Sequence, residues 1–171
     1  MSNHHFNTPP GILARVRRLD PRGIGLDPCS NAHSMVHART EWDRGGLDGA
    51  WHGRGFVFMN PPHSMRPNNI EPWIEKAHTE FIHPDFPLRP DRADSAFKDQ
   101  FVGLIPAKPD TAWFHDYVTQ FPLRVFLRGR PKFWLDGTPM PGPGKFASML
   151  IYAGNKPGLF REIFAARGWV I

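Results

Sequence analysis

The stretch that most constrains this chain is Phe56-Val57-Phe58-Met59-Asn60-Pro61-Pro62-His63. Four consecutive apolar residues between Gly55 and a proline pair suit a strand buried on both faces, as central strands of parallel sheets are. Proline has no N–H to give to a ladder, so the strand must stop at Asn60. The chain then leaves the carboxyl edge of the sheet through a stiff turn, and that edge is where open α/β sheets bind ligands. A side-chain amide beside rigid carbonyls can accept both hydrogens of a planar amine and leave its nitrogen free to react.

Around this strand, helical and extended patterns alternate. A first helix is expected from Pro9 or Pro10, capped by Thr8, with Ile12, Leu13, Val16 and Leu19 on one face. Gly23 to Pro28 reads as a short strand ending in a polar turn, and the polar segment from Asn31 to Gly53 has no clear period. A helix from Asn69 to His83 carries Ile70, Trp73, Ile74, Ala77 and Phe81 at helical spacing. Pro84 to Gln100, rich in proline and charge, is expected to be an exposed insertion. Phe101 to Pro106 is another buried strand, and Asp110 is the expected cap of a helix bearing Trp113, Phe114, Tyr117, Val118 and Phe121. Strands follow at Leu123–Leu127 and Phe146–Tyr152, with a hairpin loop at residues 129–145 between them. Pro157 opens a last helix, Gly168 ends it, and Trp169 to Ile171 could add a terminal strand. Alternation of this kind defines an α/β fold with a mostly parallel sheet, and residues 1–171 are expected to form a single domain.

The 171 residues carry a net charge of +5 and a sequence pI of about 9.8, a balance that favours a polyanionic partner. Cys29 is the single cysteine, which excludes an intramolecular disulfide framework and leads to the expectation of a reducing cytoplasm. No run approaches the ~20 apolar residues of a membrane helix. His33 and His37 could share a helical face, but they lack the further ligands a metal site needs, so no metal is expected.

Five further segments extend the Asn60-Pro61-Pro62 pattern. Asp27-Pro28-Cys29-Ser30-Asn31 closes the preceding strand with an acid and a turn. Phe6-Asn7-Thr8-Pro9 lies just ahead of that strand. Later come Asp110-Thr111-Ala112-Trp113-Phe114-His115, Phe126 to Phe133 with its Arg-Gly-Arg, and Ala147 to Tyr152. In this order, from Phe6 to Tyr152, the segments resemble the phage-type DNA adenine-N6 methyltransferase family. The resemblance implies a Rossmann-like class I methyltransferase sheet and S-adenosyl-L-methionine as cofactor. It implies double-stranded DNA with a flipped target base as partner, and a phage- or prophage-encoded enzyme in a bacterial cytoplasm. By the same resemblance, Asn60, Pro61, Pro62 and His63 are catalytic, and Phe6, Thr8, Pro9, Asp27, Pro28, Cys29, Asn31 and Asp43 hold the cofactor. His63 departs from the family, which usually has Tyr, Phe or Trp there to stack on the base. The glycine-rich run that usually follows the acid is replaced by Pro28-Cys29-Ser30-Asn31.

Arg124, Arg128, Arg130 and Lys132, interleaved with Phe126, Phe133 and Trp134, offer cations for phosphates beside aromatic faces for bases. Arg128, Arg130, Lys132, Phe133 and Lys145 are therefore the candidate nucleic-acid contacts, together with the loop from Ser64 to Asn69. The Pro-Cys pair at 28–29 invites comparison with carbon-5 cytosine methyltransferases, but it precedes the Asn60 motif and has no Glu-Asn-Val companion, so Cys29 reads as a structural or cofactor-lining thiol. Cytosine-N4 methylation uses the same motif and stays open as an alternative. So does an inert DNA-binding module that kept the fold, and RNA or a protein glutamine amide is a further substrate option. Too few residues separate Asp27 from Asn60 for the usual further strands and helices, since each βα unit takes about a dozen or more. Relative to the family's usual sheet, a reduced one is expected, with the third strand and its helix lost; in that family's strand numbering it is ordered 2-1-4-5-7-6, with its last pair antiparallel and the second strand near Met35 to Arg39. The acid for the cofactor ribose would then be Glu41, Asp43 or Asp48.

Overall fold

The computed structural model describes residues 6–62, 70–82 and 99–171. Its main sheet has seven strands: β2 (Leu26–Asp27), β3 (Thr40–Glu41), β4 (Phe56–Met59), β5 (Gln100–Pro106), β6 (Leu123–Leu127), β9 (Ser148–Ala153) and β10 (Gly168–Val170). They lie in the order β10-β6-β9-β5-β4-β2-β3. The β2–β3, β2–β4 and β4–β5 pairs are parallel. Strand β9 is antiparallel to both β5 and β6, and β10 is antiparallel to β6. The six strands anticipated from the sequence thus follow the anticipated order, and the C-terminal strand adds a seventh at the β6 edge. A second, small sheet joins β1 (Phe6–Asn7), β7 (Trp134–Leu135) and β8 (Thr138–Pro139).

Side chains alternate across the main sheet with the period of two that a strand imposes. Phe56, Phe58, Val102, Leu104, Leu150 and Tyr152 face α1 (Pro10–Arg17) and α4 (Pro157–Phe164), meeting Leu13, Val16, Phe160 and Phe164. Val57, Met59, Phe101, Ile105, Met149 and Ile151 face α2 (Glu71–Phe81) and α3 (Ala112–Asp116), meeting Ile74, Ala77, Trp113 and Phe114. Helices on both faces explain why the strands read as continuous apolar runs. Phe160 stacks on Tyr152 at 4.6 Å between ring centroids, and truncating such a buried ring to Ala removes about 3–5 kcal/mol.

Several boundaries differ from the sequence expectation. The second strand is at Thr40–Glu41, just after the expected Met35 to Arg39, and between β3 and β4 there is no other strand or helix. Thr8 does not cap α1: the cap position is Pro9, whose carbonyl accepts from Ile12 and Leu13 N–H. Asp110 is exposed and does not cap α3, where Thr111 takes that place without a side-chain capping bond. The insertion expected at Pro84–Gln100 falls mostly outside the described residues, and its last member, Gln100, opens buried β5. Gly168 begins β10 rather than merely ending α4. A Cβ there would sit 2.0 Å from the Phe126 carbonyl oxygen, so the strand pairing itself requires glycine.

Candidate functional site

The chain passes from β2 outward to β3 and returns on the other side of β2 as β4. Carboxyl ends of parallel strands where the winding reverses in this way leave a crevice. Here the crevice is a cavity of ≈ 390 Å³, within the range of small-molecule sites. Pro28, Cys29 and Asn31 follow β2. Asp43, Arg44, Gly45, Gly46, Leu47 and Asp48 follow β3. Asn60, Pro61 and Pro62 follow β4, while Phe6 of β1 and Trp73 of α2 close the sides.

Asn60 donates from Nδ2 to the Phe6 carbonyl at 2.9 Å, and its Oδ1 is buried with no partner. Two more unpartnered buried atoms, Asn7 Nδ2 and Thr8 Oγ1, lie on the adjoining β1 segment. Buried polar atoms are nearly always hydrogen-bonded; of these three only Asn60 belongs to a residue that lines the cavity, so its oxygen is the one open to a partner there. Asn7 Oδ1 is already taken, accepting from Asn31 Nδ2 at 2.8 Å.

Asp27 is 3% exposed and does not itself line the cavity; it sits behind the wall made by Pro28 and Cys29. Burial pushes its carboxyl up to about 7, against the partial relief of the Cys29 N–H and thiol, with Glu41 adding repulsion. The turn after β2 keeps its amides for itself. Cys29 N–H donates to Asp27 Oδ1 at 3.1 Å and Ser30 N–H to the Trp42 carbonyl at 2.9 Å. Burial also pushes the Cys29 thiol well above its ordinary value, so it stays protonated and is a poor nucleophile.

The loop after β3 escaped the sequence reading apart from its acids. Glu41 turns away, its Oε1 accepting from Ala38 N–H at 3.1 Å, which leaves Asp43 and Asp48 as the acids on the cavity. Gly46 allows the loop to touch its neighbours: a Cβ would lie 1.8 Å from the Pro28 carbonyl oxygen and 2.9 Å from the Trp73 ring. Trp51 Nε1–H holds the Gly46 carbonyl at 2.7 Å and stacks on Trp73. His52 pairs with buried Glu80 of α2 at 2.5 Å, and Lys76 joins the same carboxylate at 3.1 Å. The Gly45-Gly46 pair between acids was the signal available in the sequence.

The hairpin β7–β8 reaches the cavity through β1, with Phe6 opposite Leu135 and Asn7 opposite Trp134. Phe133 is buried and meets Phe6 edge-on at 6.5 Å; it props this strand and has no face to offer a base, against the sequence expectation. Arg124 is a brace, donating to the Phe121 carbonyl at 2.9 Å. Arg128, Arg130, Lys132 and Lys145 are exposed and make no side-chain bond among the described residues. Pro9 and Thr8 adjoin the cavity without lining it. His63 and the loop at 64–69 lie outside the described residues. Among the described residues, no cluster of three or more His, Cys, Asp or Glu could hold a metal, and no helix is long and apolar enough to cross a membrane. No family model, curated protein or solved structure matches this chain.

Proposed function

We propose that the protein transfers a methyl group from S-adenosyl-L-methionine to the N6 amine of adenine in DNA, on a reduced Rossmann-like methyltransferase sheet. The observation that carries this reading is the buried, unpartnered Asn60 oxygen at the end of β4, beside Pro61-Pro62 in the switch-point cavity. The residues present fit the cofactor. Asp43 and Asp48 suit ribose hydroxyls, and Leu47 and Trp73 suit a flat base. The buried Asp27 carboxyl and the unspent polar atoms of Asn7 and Thr8 lie on segments next to the lining residues Pro28 and Phe6 without lining the cavity themselves. When bound, S-adenosyl-L-methionine supplies an electrophilic methyl group.

Asn60 Oδ1 accepts one N–H of the amine and the Pro61 carbonyl accepts the other. Holding both hydrogens turns the nitrogen lone pair out of ring conjugation and aims it at the methyl, so orientation and preorganised dipoles do the catalysis. The new N–C bond would take its methyl from the bound cofactor, which would keep the electron pair of its S–CH₃ bond, and the methylated amine would shed a proton to solvent. The target base has to leave the duplex, at a cost of a few kcal/mol, and the exposed Arg128, Arg130 and Lys132 just before β7 and Lys145 after β8 would hold the flanking phosphates.

The test is incubation with labelled cofactor and mixed-sequence DNA, followed by nucleoside digestion and mass spectrometry. N6-methyladenine formed by the protein and abolished in Asn60→Ala supports the reading. N4-methylcytosine would move the substrate to cytosine, and no labelled nucleoside at all would refute methyl transfer to DNA.

A further inference from the structure

We infer that the main-chain carbonyl of Phe6 is the positioning group for Asn60, and that it makes asparagine, not aspartate, the working residue at this position. The inference rests on the methyl-transfer reading and deepens it. An asparagine amide can turn over about its last bond, exchanging acceptor for donor at little intrinsic cost. Turned the wrong way, Asn60 would present N–H to a substrate amine, donor against donor, and the lone pair would not be engaged.

At 2.9 Å from Nδ2, the Phe6 carbonyl forbids that state, because a carbonyl can only accept. The amide half facing Phe6 must be the NH₂, which sends Oδ1 to the other side, where it is buried and unpartnered. Three contacts hold the carbonyl in place while β1 is paired. Its strand is paired to β7, its ring is set against Phe133, and the next residue is tied to Asn31 by the 2.8 Å Asn7–Asn31 bond.

An ionised aspartate would set two acceptor oxygens against each other here. Protonated, it would donate its O–H to Phe6 and keep an acceptor on the substrate side, so Asn60→Asp should work only while protonated. The other titratable and charged groups around it are the Cys29 thiol, Asp43, Arg44 and Asp48 on the cavity and Asp27 behind its wall. All are common to both proteins, so the difference between the two profiles belongs to residue 60.

Two measurements test this. In the wild-type protein labelled with ¹⁵N and ¹³C, the Asn60 side-chain NH₂ should exchange slowly with solvent and show scalar coupling across the hydrogen bond to the Phe6 carbonyl carbon. With cofactor saturating, kcat of Asn60→Asp should fall about tenfold for each pH unit above the carboxyl's pKa, while wild-type kcat stays level over that range. A missing coupling overturns the inference, and so does an Asn60→Asp enzyme that matches wild type at about pH 8, where an ordinary carboxylate is ionised. If the coupling is present but the wild-type protein methylates no DNA, the methyl-transfer reading fails while the Phe6–Asn60 bond stands.

Discussion

Desolvation at the end of β2 leaves Asp27 holding its proton up to about pH 7. Between the ordinary carboxylate range and about 7, the unfolded chain has released a proton that the folded chain retains. The raised pKa therefore removes stability as pH rises through that window, and the loss is complete above it. Asn at this position can still accept from the Cys29 N–H. Asp27→Asn should accordingly melt higher than wild type at about pH 8, with the gap closing toward pH ~4. On the methyl-transfer reading, it should also bind S-adenosylhomocysteine worse. In wild type, affinity for S-adenosylhomocysteine should rise with pH and level off above about 7, as calorimetry can follow, and a flat wild-type profile would argue against Asp27 as the ammonium's counter-charge.

Gly46 makes a steric demand instead. Gly46→Ala forces a Cβ against the Pro28 carbonyl, and overpacking of this kind typically removes about 1–3 kcal/mol. Thermal melts with and without S-adenosylhomocysteine should show both a lower midpoint and a smaller ligand-induced rise. Unchanged binding would mean the loop after β3 is not a wall of the site. Asn60-Pro61-Pro62 was legible in the sequence because an apolar run and two prolines act locally. Gly46 was not, because what it avoids lies eighteen residues back and on another element. Thr8 was misread for a related reason: a hydroxyl before a proline looks like a cap until its burial is seen.

Among the elements, the long buried strands and amphipathic helices were readable from period alone, whereas the two-residue strands β1, β3, β7 and β8 are too short to carry a period. Their pairing is set by geometry. The β7–β8 hairpin turns on Asp136 and Gly137, both at positive φ, 48° and 77°, as a two-residue turn of matching twist requires. A β-branched residue in that region costs roughly 1–2 kcal/mol, so Gly137→Val should loosen the hairpin and weaken DNA binding. In the segment that leads into β7, and on the methyl-transfer reading, Arg130→Ala should impair methylation while leaving S-adenosylhomocysteine binding intact. Lys132→Ala should lower DNA affinity at every sequence and reduce the salt slope by about one. Methylation assays read the first and equilibrium titrations at several salt concentrations the second, and an Arg130→Ala protein fully active on DNA would remove this segment from target reading.

Across the whole molecule, the sheet order was anticipated from the family resemblance, with the short span from Asp27 to Asn60 limiting what can be fitted between; an apolar strand and a proline stop do not by themselves set an order. The C-terminal strand beside β6 was a weaker signal, three residues of which Trp169 remains exposed. One pairing has a consequence for how the molecule assembles and fails. Phe6 and Asn7 sit in register with Leu135 and Trp134, so the first described residues wait for a segment made some 130 positions later. Contacts of such separation form late in folding, since a long loop must close before they are rewarded. A two-residue ladder with one half-exposed aromatic is also poorly insulated, and regions of that kind open with less free energy than the core. Heating should therefore undo the site before the protein: activity should fade while far-ultraviolet circular dichroism still reports an intact sheet, and the Asn7 amide should exchange with deuterium faster than those of β5.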